Sequence, residues 1–263
     1  MYMSMFRIRF INSLQYRAAA IGEVAGRLLW SIMEILAFTA LYRHAQFPME
    51  LSQTVSYLWI QQTLFVLFSV VFGDNEIYSS IQSGSIAYEL TRPVNLYWCW
   101  FSQSAANRVS FTVINCIPAL LIALLIPAPY GLPLPPDPWH FILFLFSAVL
   151  GLLLVVAFAM LMYISLFYII SQRGVKIIVT ALTSFLSGGI IPLPFFPEPV
   201  LKVVKLLPFA SMQNTPLLIY NGSLGGPEAF RAVGLQLIWL FLFFLGGWAF
   251  MGRSLRRVVV QGG

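Results

Sequence analysis

Residues 141–170 read FILFLFSAVLGLLLVVAFAMLMYISLFYII and contain no charged side chain. A transmembrane helix needs about 20 mostly apolar residues to cross a hydrocarbon core ~30 Å thick. At ~1.5 Å per residue this run exceeds that thickness. It predicts a span that tilts, kinks near Gly151 or projects beyond the membrane. The whole chain agrees. Of its 263 residues, 59% are hydrophobic and 9% are charged, with a mean hydropathy of +0.84. Soluble domains are about 25% charged, and so few charges cannot cover this much apolar surface in water. Composition excludes an ordinary cytosolic domain, a disordered chain and a secreted disulfide scaffold. Cys99 and Cys116 are the two cysteines, and neither clusters with histidine or another cysteine. They read as free thiols, with no disulfide framework and no metal site.

Five further segments complete an all-α integral membrane protein with six transmembrane helices. They cover about residues 21–42, 54–72 and 109–126 before the fourth span at 139–170, then 177–191 and 232–251. Upstream, Met3, Phe6, Phe10 and Leu14 recur at helical spacing within residues 1–20, with Arg7, Arg9 and Arg17 among them. This is no cleavable signal peptide, because the arginines break any apolar core. It suits an N-terminal interfacial helix whose arginines face anionic head groups.

The net charge of +6 reads as sidedness and not as nucleic-acid binding. With both termini cytoplasmic, the inner basic residues are Arg7, Arg9, Arg17, Arg27, Arg92, Arg108, Arg173, Lys176, Arg253, Arg256 and Arg257. Arg43, Lys202, Lys205 and Arg231 fall outside. Eleven against four is the asymmetry expected of cytoplasmic loops.

Three stretches are not plain spans. Residues 127–138, PAPYGLPLPPDP, form a stiff outer loop, since proline cannot continue a helix. Residues 192–231 are longer than a connector requires and too apolar for a solvated loop. They predict an outer re-entrant helical hairpin, with a short helix presenting Val200, Val203, Val204 and Leu207 on one face. Backbone of this kind is tolerated at membrane depth where protein covers it. Gly188, Gly189, Pro192, Pro208 and Phe209 are its candidate gate residues. The third stretch, residues 73–107, is too polar to span. Asp74 is placed to cap a helix with Glu76 in its first turn. Ile77, Tyr78 and Ile81 make an apolar edge, Gly84 interrupts it, and Pro93 ends a second turn that carries Glu89. Tyr97, Trp98 and Trp100 follow as an interfacial aromatic belt. An amphipathic helix on this surface packs on head groups or on a cytoplasmic partner.

Catalytic chemistry is not visible. No GxxxxGK[ST], GxSxG or HExxH string occurs, and His44 and His140 are far apart. Glu23 and Arg27 stand four apart and read as a structural ion pair. Glu34 lies in mid-span with no basic residue within one turn. It meets either a cationic substrate or a hydrogen-bonding neighbour helix. Asn115 and Gln236 read as interhelical hydrogen-bonding residues.

Tyr16-Arg17, DNEIYSSIQSGSIAYELTRPVNLY at 74–97 and SGGIIPLPFFPEPVLKVVKLLPFASMQNTPLLIYNG at 187–222 together resemble the ABC-2 type permease family, with the likeness covering essentially the whole chain. The resemblance implies one transmembrane domain over residues 1–263. It implies a subunit of an ABC exporter that works beside a separate ABC ATPase and a second six-span permease, identical or related, in the inner membrane. ATP and Mg belong to the ATPase; no cofactor is expected on this chain, which is not itself an enzyme. Residues 74–93 then correspond to the coupling segment, with Asp74, Glu76, Tyr78, Ile81, Gly84, Glu89, Arg92 and Pro93 as its candidates. The cargo is expected to be amphipathic: a drug, an organic cation, a lipid or a glycan-lipid. The alternative is a self-sufficient secondary transporter or channel, which paired broken helices in both halves would favour.

Overall fold

The computed structural model describes residues 7, 17–45, 47–70, 74–91, 94–169 and 172–256. Most of the expected interfacial helix lies outside these residues, as do Arg92, Pro93 and the Glu23 side chain.

Every regular element among the described residues is helical. The order is α1 (Arg17–Tyr42), α2 (Leu51–Thr63), α3 (Phe65–Phe68), α4 (Asn75–Gln82), α5 (Ile86–Leu90), α6 (Leu96–Leu125), α7 (Pro138–Ser165) and α8 (Gln172–Leu186). A 3₁₀ turn (Leu193–Phe195) leads to α9 (Glu198–Val204), α10 (Pro208–Met212), α11 (Asn214–Tyr220) and α12 (Gly226–Leu255). Four helices are long and apolar enough to cross a membrane: Val24–Tyr42 within α1, then α6, α7 and α12.

The expected second span is a broken helix. The chain turns at Leu64 between α2 and α3. α2 is also polar where it is most enclosed, with Thr54, Ser56, Gln61, Gln62 and Thr63 all buried. Its neighbours supply partners for several of these groups. Tyr57 Oη donates to Asn214 Oδ1 at 3.1 Å, Gln61 Nε2 to the Gly189 carbonyl at 3.0 Å, and Gln62 Nε2 to Glu34 Oε2 at 3.1 Å. Polar side chains at membrane depth are tolerated when protein surrounds them. The expected fifth span is likewise short. α8 ends at Leu186, and only Lys176–Leu186 is a continuous apolar helix there.

α7 is the axis. Its N-cap Asp137 accepts from His140 N at 2.7 Å and contacts His140 Nδ1 at 2.8 Å. Pro138 sits at the first helical position, where its missing N–H costs nothing. At ~1.5 Å per residue its 28 residues extend roughly 42 Å. The helix stops at Ser165, before the apolar run ends. Gly151 serves close packing here, because a Cβ would lie 2.4 Å from the Met212 carbonyl of α10. Gln236 of α12 fastens the same region. It accepts from Ser147 Oγ at 2.9 Å and donates to the carbonyls of Ser147 and Ser211, at 3.2 and 2.8 Å. Asn115 departs from expectation: its amide donates to Phe111 O in its own helix at 2.7 Å, not to a neighbour.

Residues 193–225 form a chain of short helices. Ser211 through Tyr220 are buried against α2 and α7. The expected apolar face of α9 is only partly used. Val204 is buried, whereas Val200 and Val203 are exposed. The proline loop is laced to the bundle by Trp59 Nε1 donating to Tyr130 O at 2.8 Å and Tyr220 Oη to Pro133 O at 3.2 Å.

Two outcomes follow. Gly151→Val forces α7 away from α10 and is expected to destabilise the protein by about 3 kcal/mol, read as a lower melting temperature in detergent. Hydrogen bonds from the His140 backbone and ring hold the Asp137 carboxyl below its usual pKa. A depressed pKa contributes stability at pH above the unfolded value and loses it as pH falls. Melting temperature is therefore expected to fall as pH drops from about 5 through the lowered native value below about 4, and Asp137→Asn is expected to flatten that dependence.

Candidate functional site

α4 begins immediately after Asp74 and carries Glu76 in its first turn. Ile77 and Tyr78 are buried and Ile81 is half-buried, so the apolar edge read from sequence is the face that packs. It enters a cluster with Trp100, Met160, Tyr163 and Met251. The Tyr78 ring meets Tyr163 edge-on at 5.1 Å, and the Lys176 ammonium lies 5.3 Å from the Tyr78 ring centre. Burial pushes the Tyr78 phenol far above its usual range, so it stays protonated. Gly84, at φ +75°, makes the turn between α4 and α5.

One stripe of α6 receives the acidic side chains of this segment. Trp100 Nε1 donates to Glu89 Oε2 at 2.8 Å, Gln103 Nε2 to Glu76 Oε2 at 3.3 Å, and Asn107 Nδ2 to Asp74 Oδ2 at 2.8 Å. Donors spaced three and four apart share one helical face. The Asp74 backbone N–H donates to Tyr163 Oη of α7 at 2.8 Å. Two sequence expectations change here. Asp74 stands at the N-cap position, yet its side chain makes no capping bond, because Asn107 engages it instead. Tyr97 and Trp100 are each 1% exposed, so only Trp98, at 40%, suits an interfacial belt. The indole that seemed destined for head groups is a donor to Glu89.

Arg108 is the residue that sequence reading undervalued, counting it only as one more inner basic charge. It is 1% exposed and is the sole charged residue of α6. Its Nη1 donates to the Ser69 and Val66 carbonyls, the latter at 3.4 Å. Those carbonyls close the C-terminal end of α3, where a helix leaves acceptors unpaired and carries partial negative charge. Arg108 Nε and Nη2 have no hydrogen-bond partner among the described residues, while the Asp74 carboxylate lies near enough to attract the charge. A cavity of about 330 Å³ separates α4 from these helices, lined by Asp74, Glu76, Ser104, Asn107, Arg108 and Phe111 among others. The available signal was a lone charge within a long apolar helix, which marks function at membrane depth.

The gate candidates have separate partners. Glu34 takes the hydrogen-bonding alternative, through Gln62. Gly188 has φ +83°, and a Cβ there would lie 2.8 Å from Tyr57 Oη. The Gly189 carbonyl accepts from Gln61, so α2 holds both glycines of this turn. Pro192 is buried before the 3₁₀ turn. Pro208 starts α10, and Phe209 packs edge-on against Phe158 of α7 at 5.6 Å. Arg27 lies 4.4 Å from the Phe65 ring centre; its expected pairing with Glu23 falls outside the described side chains. Among the described residues neither Cys99 nor Cys116 forms a disulfide. Among the described residues no three His, Cys, Asp or Glu side chains converge as a metal site.

None of the curated proteins compared with the chain matches it significantly. The family described as ABC-2 family transporter protein matches residues 28–262, taking in every junction and gate residue above. A match over nearly the whole of a chain with several membrane-crossing helices places this protein in the ABC-2 transporter family, as a multi-pass permease of an ABC transporter.

Proposed function

We propose that this chain is the transmembrane subunit of an ATP-driven exporter that moves an amphipathic cargo out of the cytoplasm or the inner leaflet of the plasma membrane. It crosses six times, with α2–α3 and α8 as short spans enclosed by protein, residues 192–231 as an outer re-entrant hairpin, and both termini cytoplasmic. ATP and Mg act on a separate ATPase, and a second permease completes the pathway. The chain itself carries no catalytic step.

The observation that carries this reading is the attachment of α4–α5. Its apolar edge and three carboxylates are committed to α6 and α7. The opposite surface leaves Ser79, Gln82 and Ser83 exposed, together with Tyr88 at 78%. An exposed aromatic among small polar side chains suits a protein contact, where such residues concentrate binding energy. A partner pressing on this surface moves α6 directly, through bonds from Trp100, Gln103 and Asn107. Arg108 passes the displacement on to the end of α3, and α2 carries it to the Gly188–Gly189 turn. ATP shifts the equilibrium between inward and outward access only by binding the two states differently.

Copurification of an ATPase with the full-length chain from membranes tests the class; no ATPase in the complex would overturn it. Tyr88→Ala is expected to weaken ATPase docking about tenfold or more, read as the ATPase concentration that gives half-maximal stimulated hydrolysis. Asn107→Leu leaves that surface intact. It is expected to preserve docking while lowering the transport achieved per ATP. Unchanged hydrolysis and transport in both variants would remove the coupling role from α4–α5.

A further inference from the structure

A second cavity, of about 1060 Å³, lies between α6 and α7, with Ile60 and Leu67 of the α2–α3 segment also on its wall. Val109 and Leu124 of α6 both line it, which at ~1.5 Å per residue makes it roughly 22 Å long. It runs lengthwise along the helices, the direction taken by lipid chains. Its walls are hydrocarbon, supplied by residues such as Leu120, Phe141 and Leu145. The helices beside its mouth turn large apolar side chains outward: Ile117 is 55% exposed, Leu121 58%, Ile142 57% and Val149 55%. The mouth therefore opens to the bilayer and not to water.

One end carries charge. Asp137 lines the cavity where the proline loop meets α7. Both of its bonds to His140 use Oδ1, the Trp139 backbone N–H also lies against the carboxyl, and the side chain is 49% exposed, so the carboxylate stays accessible to a cation from the cavity. The same bonds keep the carboxyl ionised at neutral pH. A long apolar trough ending in one carboxylate complements a molecule with a hydrocarbon tail and a cationic head. We infer that this groove holds one acyl chain of a phospholipid whose headgroup bears a primary ammonium, with that ammonium at Asp137. The site is distinct from the coupling junction and does not depend on the transport reading.

The test uses the full-length chain in nanodiscs of equal phosphatidylethanolamine and phosphatidylglycerol, with retained lipid read by native mass spectrometry. Wild type is expected to keep phosphatidylethanolamine in preference. Leu124→Trp, at a position already 51% exposed, fills the groove without entering the core and is expected to lower retention about tenfold. Asp137→Asn keeps the helix cap, since asparagine caps as well as aspartate. It is expected to retain lipid but bring the headgroup ratio back to that of the disc. In a Cys99→Ser background, a benzophenone maleimide on Cys116, which lines the groove, is expected to crosslink to lipid. Retention unchanged by Leu124→Trp in a protein that melts normally would overturn the inference. So would a Cys116 crosslink to a second polypeptide, or a headgroup ratio unmoved by Asp137→Asn.

Discussion

A positive charge enclosed at the end of a broken helix organises the junction of α3, α4 and α6. Removing a guanidinium from water costs several kcal/mol unless acceptors surround it. Arg108 finds two of them at the carbonyl end of α3. The requirement is mutual, because carbonyls at a helix end in a low-dielectric interior also need donors. Each side therefore fixes the other, and α3 cannot move independently of α6. The adjoining Asn107 holds Asp74, so the start of α4 is tied to the same turn of the same helix. Of the three guanidinium nitrogens, Nε and Nη2 have no hydrogen-bond partner among the described residues.

Incomplete satisfaction of a buried cation matters for a machine with two states. A fully bonded cluster resists rearrangement, whereas one with spare donors has somewhere to go. Asp74 already attracts Arg108 and is engaged by Asn107, the residue before that arginine. The cavity beside them leaves room for side chains to exchange partners.

Much of this was legible beforehand where pattern and packing coincide. The apolar runs marked the long helices, although α6 starts at Leu96, well ahead of its apolar portion. The reason is that Trp100, Gln103 and Asn107 bond to side chains of residues 74–89 and the Tyr97 ring packs on Phe244 of α12, rather than on lipid. The edge formed by Ile77, Tyr78 and Ile81 was readable from spacing alone. The side-chain pairs were not. Trp100 with Glu89 and Gln61 with Gly189 join positions whose proximity only the tertiary fold decides. Gly151 stood in sequence as one place where a long apolar helix could kink; its close approach to the Met212 carbonyl, which excludes a Cβ, was not readable there. Arg108 was visible as a residue and invisible as a role, because its partners are main-chain carbonyls that no side-chain pattern encodes.

The polarity of α2 bears on how the protein is made. A segment carrying Thr54, Ser56, Gln61, Gln62 and Thr63 partitions poorly into lipid by itself, since polar groups at mid-membrane are costly without partners. Its partners Asn214 and Gly189 are synthesised much later in the chain. Until they emerge, Tyr57 and Gln61 lack these partners, while Glu34 and Tyr42 of α1 already reach Gln62 and Thr54. Membrane integration of this protein is therefore cooperative across its length, and its central helix is secured only when the C-terminal third arrives.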